Sequence, residues 1–167
     1  MKVVFAYWRS AMKTRLYCPS CGEEKEFIIK NEKEAYPVKN ELTEIQAQIS
    51  YCRHCGEQIW NVELDPENLQ AAYRKYRTDH GLLQPEEIKA IREKYALTQT
   101  AFAKILGMGE KTIARYETGS LQDLAQNNLI ELTRLPEAFR YLLQKGRSRI
   151  TEIEYDRAVE LVQKEMT

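Results

Sequence analysis

Apolar and polar positions follow two different rhythms along this chain, and the change falls near Asp65. Between residues 16 and 64 the apolar positions alternate or cluster in short β-branched runs: Phe27–Lys30, around Tyr36–Val38, Leu42–Ile49 and Gln58–Val62. Such runs, broken by polar and turn residues, predict short strands. From Asp65 the spacing becomes helical. Leu69, Ala72, Tyr73 and Tyr76 fall on one face, with Asp65 as the expected N-cap, Pro66 in the first turn and Gly81 as the stop. Further helices are predicted at roughly 85–95, 99–106, 110–117, 124–134, 136–145 and 151–165. Pro85 and Pro136 open two of them, and Gly107, Gly109, Gly119 and Gly146 fall between them. The expected fold class is α+β multidomain: a small β-rich domain followed by an all-α domain.

Composition places the chain among folded proteins. It has 167 residues, 30% of them charged, and 25 basic side chains balance 25 acidic ones. The zero net charge conceals a pattern: residues 1–17 carry +4, residues 18–65 carry −5 and residues 81–150 carry +3. No apolar run reaches the ~20 residues of a membrane span. The N-terminal MKVVFAYW lacks the long apolar region and small-residue cleavage site of a secretory signal. A cytoplasmic protein is expected, so the four cysteines are read in a reducing compartment.

Those cysteines form two knuckles, Cys18-Pro19-Ser20-Cys21-Gly22 and Cys52-Arg53-His54-Cys55-Gly56. Two intervening residues let both sulfurs of a tight turn face one ion. The glycine that follows permits a positive φ, which turns backbone N–H groups toward the thiolates. Two such turns at the ends of a β-rich loop predict one structural Zn²⁺ on Cys18, Cys21, Cys52 and Cys55, with no open position for a substrate. Two disulfides are the alternative that the reducing compartment disfavours. Four thiolates and Zn²⁺ would take residues 18–65 to about −7, a surface that repels DNA and attracts a basic partner.

The segment Leu97–Ser120, LTQTAFAKILGMGEKTIARYETGS, has the spacing of a helix-turn-helix. Thr98 is placed to cap a helix whose Phe102, Ile105 and Leu106 face inward. Ala103 is small enough for a close crossing, Gly107 suits the turn, and Ile113 and Tyr116 form the inner face of the next helix. Lys111, Thr112 and Arg115 then point outward with donors that reach phosphates and base edges. Gln99 is placed to meet the DNA backbone. The stretch resembles the helix-turn-helix of the Xre and phage-repressor (lambda-repressor-like) family through L-T-Q, F-A, L-G and T-I-x-R-Y-E-x-G. That resemblance implies a buried ion pair between Arg92 and Glu117.

The two Cys-x-x-Cys-Gly knuckles, the run Leu69 to Leu83 (L-x-x-A-Y-x-x-Y-R-x-x-H-G-L-L) and the helix-turn-helix together resemble the MqsA-type (YgiT-type zinc finger) antitoxins over about residues 18–135. In that family the zinc module binds a toxin, usually an mRNA-cleaving ribonuclease, and the second domain dimerises and binds the operator of its own operon. The family's base-reading Asn and Arg correspond to Lys111 and Arg115, so the Asn-to-Lys departure bears on the operator sequence.

The resemblance implies double-stranded DNA carrying a palindromic operator, a cognate protein toxin and a homodimer. It divides the chain into an N-terminal extension (1–17), a four-cysteine zinc-binding domain (18–65), a connecting helix (66–81), a DNA-binding domain (82–135) and a C-terminal helical extension (136–167). Met12 is an alternative start. Phe139, Tyr141, Leu142, Leu143, Ile153, Tyr155, Val159, Leu161 and Val162 make the last segment the expected twofold interface, the alternative being that these helices only cap the monomer. The alternative function is a stand-alone Xre-type regulator of phage or mobile-element origin with a structural zinc module. No catalytic constellation supports an enzyme.

Overall fold

The computed structural model describes residues 14–166, so the N-terminal extension as far as Lys13 lies outside the described residues. The chain divides into two compact units, residues 1–72 and 73–167. Helix α1 (Leu64–Asp79) contributes its first half to the first unit and its second half to the second.

The first unit is an antiparallel sheet of β1 (Arg15–Cys18), β2 (Glu23–Val38), β3 (Glu41–Cys52) and β4 (Gln58–Ile59), in that spatial order. β2 and β3 form one long hairpin in register from Phe27 opposite Cys52 to Val38 opposite Glu41. The sequence pattern predicts two separate strands in β2. The charged residues between them are strand as well, because β3 supplies a clean alternation opposite them. Thr43, Ile45, Ala47 and Ile49 are buried on one face while Leu42, Glu44, Gln46 and Gln48, which alternate with them, are exposed.

Strand β4 is shorter than expected, and the chain leaves the sheet at Trp60 to make a turn. Asn61 organises that turn: its Oδ1 accepts from the N–H of Glu63 at 3.0 Å, and its Nδ2 donates to Ser50 Oγ at 2.9 Å. Asp65 is therefore inside the helix and does not cap it. Its carboxylate accepts from the Asn61 N–H at 2.6 Å, and α1 begins one residue earlier, at Leu64. Pro66 still falls in the first turn, where its missing N–H costs nothing. Beyond the end of β4, Asn68 completes the β3 ladder, its side-chain amide donating to Gln48 O and accepting from Gln48 N–H.

The second unit holds α2 (Pro85–Lys94), α3 (Gln99–Ile105), α4 (Thr112–Glu117), α5 (Leu124–Leu132), α6 (Pro136–Gly146), a 3₁₀ turn (Arg147–Arg149) and α7 (Glu152–Glu165). Caps fix several starts. Thr98 accepts from Ala101 N–H, Asp123 accepts from Gln126 N–H, and Thr151 and Glu154 form a reciprocal capping box.

One apolar cluster runs through the whole unit and joins Ile88, Ile91, Phe102, Ile113 and Ile130 to Phe139, Leu143, Ala158 and Val162. Phe139 stacks on Tyr95 with ring centroids 3.9 Å apart. Gly146 lies within α6 instead of between helices, and its lack of a side chain has a reason. A Cβ there would come 3.1 Å from the backbone of Ile105, so α6 and α3 meet only because it is glycine.

The C-terminal helices thus close the core of their own unit. Phe139, Leu143 and Val162 are fully buried and Leu142, Tyr155 and Val159 pack against them, which removes most of the apolar surface expected for a twofold interface. Tyr141 and Ile153 stay exposed. No helix among the described residues is long and apolar enough to cross a membrane.

Candidate metal centre and nucleic-acid interface

The knuckles are set by two turns of the same kind. Gly22 N–H donates to Cys18 O and Gly56 N–H to Cys52 O, and both glycines adopt positive φ, 69° and 78°. A side chain would strain either position. Cys18 ends β1 and Cys52 ends β3, so pairing of both strands with β2 brings the knuckles together at one end of the sheet. All four sulfurs lie within 4.8 Å of one another, with Cys18 to Cys55 at 3.5 Å and Cys21 to Cys52 at 3.9 Å. A tetrahedral zinc site with Zn–S bonds of ~2.3 Å has sulfur–sulfur edges of ~3.8 Å. The spacing fits one structural Zn²⁺, and the four cysteines are free of disulfides.

The thiols sit in unequal surroundings. Backbone N–H groups of Cys55 and His54 aimed at the Cys52 sulfur bring that thiol down to about 6. Desolvation and the three neighbouring sulfurs push Cys21 up to about 12. Four thiolates this close repel one another strongly, and a divalent cation is what allows all of them to ionise. Under the site lies a very small apolar cluster of Cys18, Cys52 and Ile59 with Leu16, Cys21 and Phe27 against it. His54 is exposed on the knuckle surface and is outside the four-sulfur group.

In the second unit, α3, the turn from Leu106 to Lys111 and α4 follow the spacing read from the sequence. Phe102, Ala103, Ile105, Leu106, Ile113 and Tyr116 are all buried. Lys111 and Arg115 are exposed and make no ion pair among the described residues, and Thr112, the first residue of α4, is half-buried.

Arg92 and Glu117 meet as a fork. Arg92 Nε donates to Glu117 Oε1 at 2.6 Å and Arg92 Nη2 to Oε2 at 2.8 Å, while Arg92 Nη1 donates to Leu97 O. Gln99 joins them, its Nε2 donating to Glu117 Oε2 at 2.7 Å. Burial alone would raise the Glu117 carboxyl, but the hydrogen bonds from Arg92 and Gln99 prevail and hold it below the ordinary carboxylate range. The end of α4 is therefore tied to α2 and to the start of α3.

A second polar network was not legible as such. Arg77, fully buried near the end of α1, donates from Nη2 to Gly119 O at 2.7 Å and to Ser120 O at 3.1 Å, the turn that follows α4. Buried Gln122 donates to Leu83 O, and Asn127 accepts from Leu83 N–H. The Tyr76-Arg77 pair of the Leu69–Leu83 run was the available signal, since an arginine after an apolar stripe reads equally well as a solvated residue. Arg77 places a cation at the carbonyl end of α4, where the helix dipole favours one.

Two knuckles that bring four sulfurs together, followed by a helix-turn-helix whose Lys111 and Arg115 make no ion pair among the described residues, have the layout of a zinc-module regulator. The chain belongs to the MqsA antitoxin family: the family model described as the antitoxin component of the bacterial toxin-antitoxin system, MqsA, matches residues 16–147. The match spans both units and ends at the 3₁₀ turn. A search of curated proteins gave no match.

Proposed function

We propose that this antitoxin neutralises a basic, mRNA-cleaving ribonuclease through its acidic zinc module and represses its own operon by binding a palindromic operator as a homodimer. The functional division follows the sequence: 18–65 for the zinc module, 66–81 for the connecting helix, 82–135 for DNA and 136–167 as the C-terminal addition. The role is regulatory and non-enzymatic.

The observation that carries the DNA reading is the exposed face at α4, where Lys111, just before the helix, and Arg115 have no carboxylate partner among the described residues. Cations left unpaired on a helix of this geometry are available to phosphates and base edges, and arginine pairs bidentately with guanine. Thr112 adds a hydroxyl. Gln99 Nε2 carries a second hydrogen beyond the one given to Glu117, and we assign that one to a backbone phosphate. The toxin reading rests on charge: the acidic module speeds encounter with a protein that must itself bind RNA phosphates.

Footprinting on the gene's own promoter tests the first part. Arg115→Ala is expected to cost roughly 1–3 kcal/mol and relax specificity at one base pair. An unchanged footprint would remove α4 from the groove. Co-expression with the neighbouring gene tests the second part. Relief of toxicity that persists when residues 18–65 are deleted would move the toxin surface elsewhere, and no relief at all would favour a stand-alone regulator.

A further inference from the structure

The end of α6 carries a run of basic residues outside the helix-turn-helix. Residues 140–149 hold Arg140, Lys145, Arg147 and Arg149 and no acidic residue. The close approach of Gly146 to Ile105 sets the 3₁₀ turn that follows against α3. Arg149 then reaches across the turn between α3 and α4. Its Nη1 donates to Lys104 O at 3.3 Å and passes over Gly107, and it borders an open depression with Gly107, Met108, Gly109 and Glu110.

Three of the neighbouring cations are already engaged. Lys104 pairs with Glu110 at 3.0 Å, Arg147 meets Glu152 at 3.9 Å and stacks on Tyr155, and Lys145 lies over the ring of Tyr141. Arg149 is exposed and makes no ion pair among the described residues; its hydrogen bond to Lys104 O is long and readily exchanged. The family match ends at residue 147, two residues before it.

We propose that Arg149 is a DNA-phosphate contact supplied by the C-terminal segment, gripping the backbone beside the groove that α4 enters. This rests on the assignment of α4 to the major groove. The turn over which Arg149 lies leads directly into α4, and a major groove is walled by phosphates, so a cation beside the leading turn meets that wall. A guanidinium offers two parallel N–H donors to a phosphate. The contact is with the backbone and carries no sequence information.

The test uses the full chain and two duplexes, the gene's own promoter and a scrambled sequence, over a salt series. Arg149→Ala should weaken binding to both by the same factor and reduce the slope of log K against log salt by about 0.9. Arg149→Lys should restore most of the slope. Arg115→Ala should instead reduce the preference for the promoter. Unchanged affinity and slope in Arg149→Ala, with wild type binding normally, would overturn the proposal and leave Arg149 as a cap on α3. A loss of affinity with an unchanged slope and a lowered melting temperature would overturn it equally. Failure of the wild-type protein to bind either duplex would instead remove the DNA reading on which it stands.

Discussion

The two units solve the same problem, closing a core, with different materials. In the first, the described apolar interior is a few side chains on one face of β3 and a cluster of Ile59, Leu16 and Phe27 around the cysteines. In the second, an apolar cluster from α2 to α7 does the work, with Phe139 and Leu143 from α6 fully buried in it. A small sheet of this kind is marginal without a staple, and apparent free energies of structural zinc run to about 10–16 kcal/mol at neutral pH. The difference teaches where each unit is vulnerable: the first to loss of one ion, the second to loss of shape in its interior.

The largest expected effect breaks the first unit alone. Chelation, or Cys52→Ser with Cys55→Ser, should abolish the β2–β3 hairpin while the helical signal of the second unit persists. Two-dimensional NMR of the full chain would show collapse of the strand amides and retention of those from α2 to α7. Co²⁺ in place of zinc should give the absorption of a tetrahedral thiolate site. Strand amides that stay dispersed after chelation would mean that the hairpin folds without the metal.

Phe139→Ala strikes the second unit. The ring is fully buried, stacked on Tyr95 and tilted against Phe102 at 6.1 Å. Its removal should cost about 3–5 kcal/mol, read from the urea midpoint of the helical signal. The Co²⁺ spectrum of the first unit should not change.

The metal ligands and the helix-turn-helix were legible because their chemistry demands residue types at fixed spacing. Cysteines separated by two residues with a glycine next turn both sulfurs to one side, and Phe102, Ile105, Ile113 and Tyr116 each lie in the core. What the sequence hid depends on partners remote in the chain. The charged centre of β2 is strand because of what β3 places opposite it. The start of α1 is set by Asn61, a residue that reads as an ordinary turn residue until Ser50 and Asp65 are seen around it. Arg77 reads as surface until Gly119 and Ser120 close over it. The apolar positions of α6 and α7 were visible, but whether they face their own unit or another chain is a tertiary fact that periodicity does not carry.

Charge sharpens the comparison next. Glu117, with a side chain only 4% exposed, is held below the ordinary carboxylate range by Arg92 and Gln99. A lowered folded-state value means that the carboxylate favours folding above its unfolded-state value of about 4.3. That contribution fades as pH falls through the depressed value. The second unit should therefore lose stability progressively below about pH 4, by the urea midpoint of its helical signal. Glu117→Gln should destabilise it at neutral pH by up to about 3–5 kcal/mol, because buried Arg92 is left with only the exposed Glu93 at 3.5 Å as a counter-ion, and should flatten the acid limb. An equally steep acid limb in the variant would assign it to other carboxylates, such as Glu86 and Glu154, which are also lowered.

The smallest effect is expected from an ion pair of similar appearance in the first unit. Lys33 and Glu44 meet diagonally across the β2–β3 hairpin at 3.1 Å, but their side chains are 70% and 61% exposed. Water screens the attraction, and holding two long side chains in one geometry costs entropy, so exposed pairs contribute about 0.2–1 kcal/mol. Glu44→Gln should move the urea midpoint of the Co²⁺-loaded first unit, followed by its metal absorption, by no more than about 0.5 kcal/mol. The contrast with Glu117→Gln isolates burial, since both changes remove one carboxylate charge from one ion pair. If Glu44→Gln matched the cost of Glu117→Gln, the hairpin would owe its stability to its charged surface as well as to the metal, and the division drawn between the two units would fail on the side of the first.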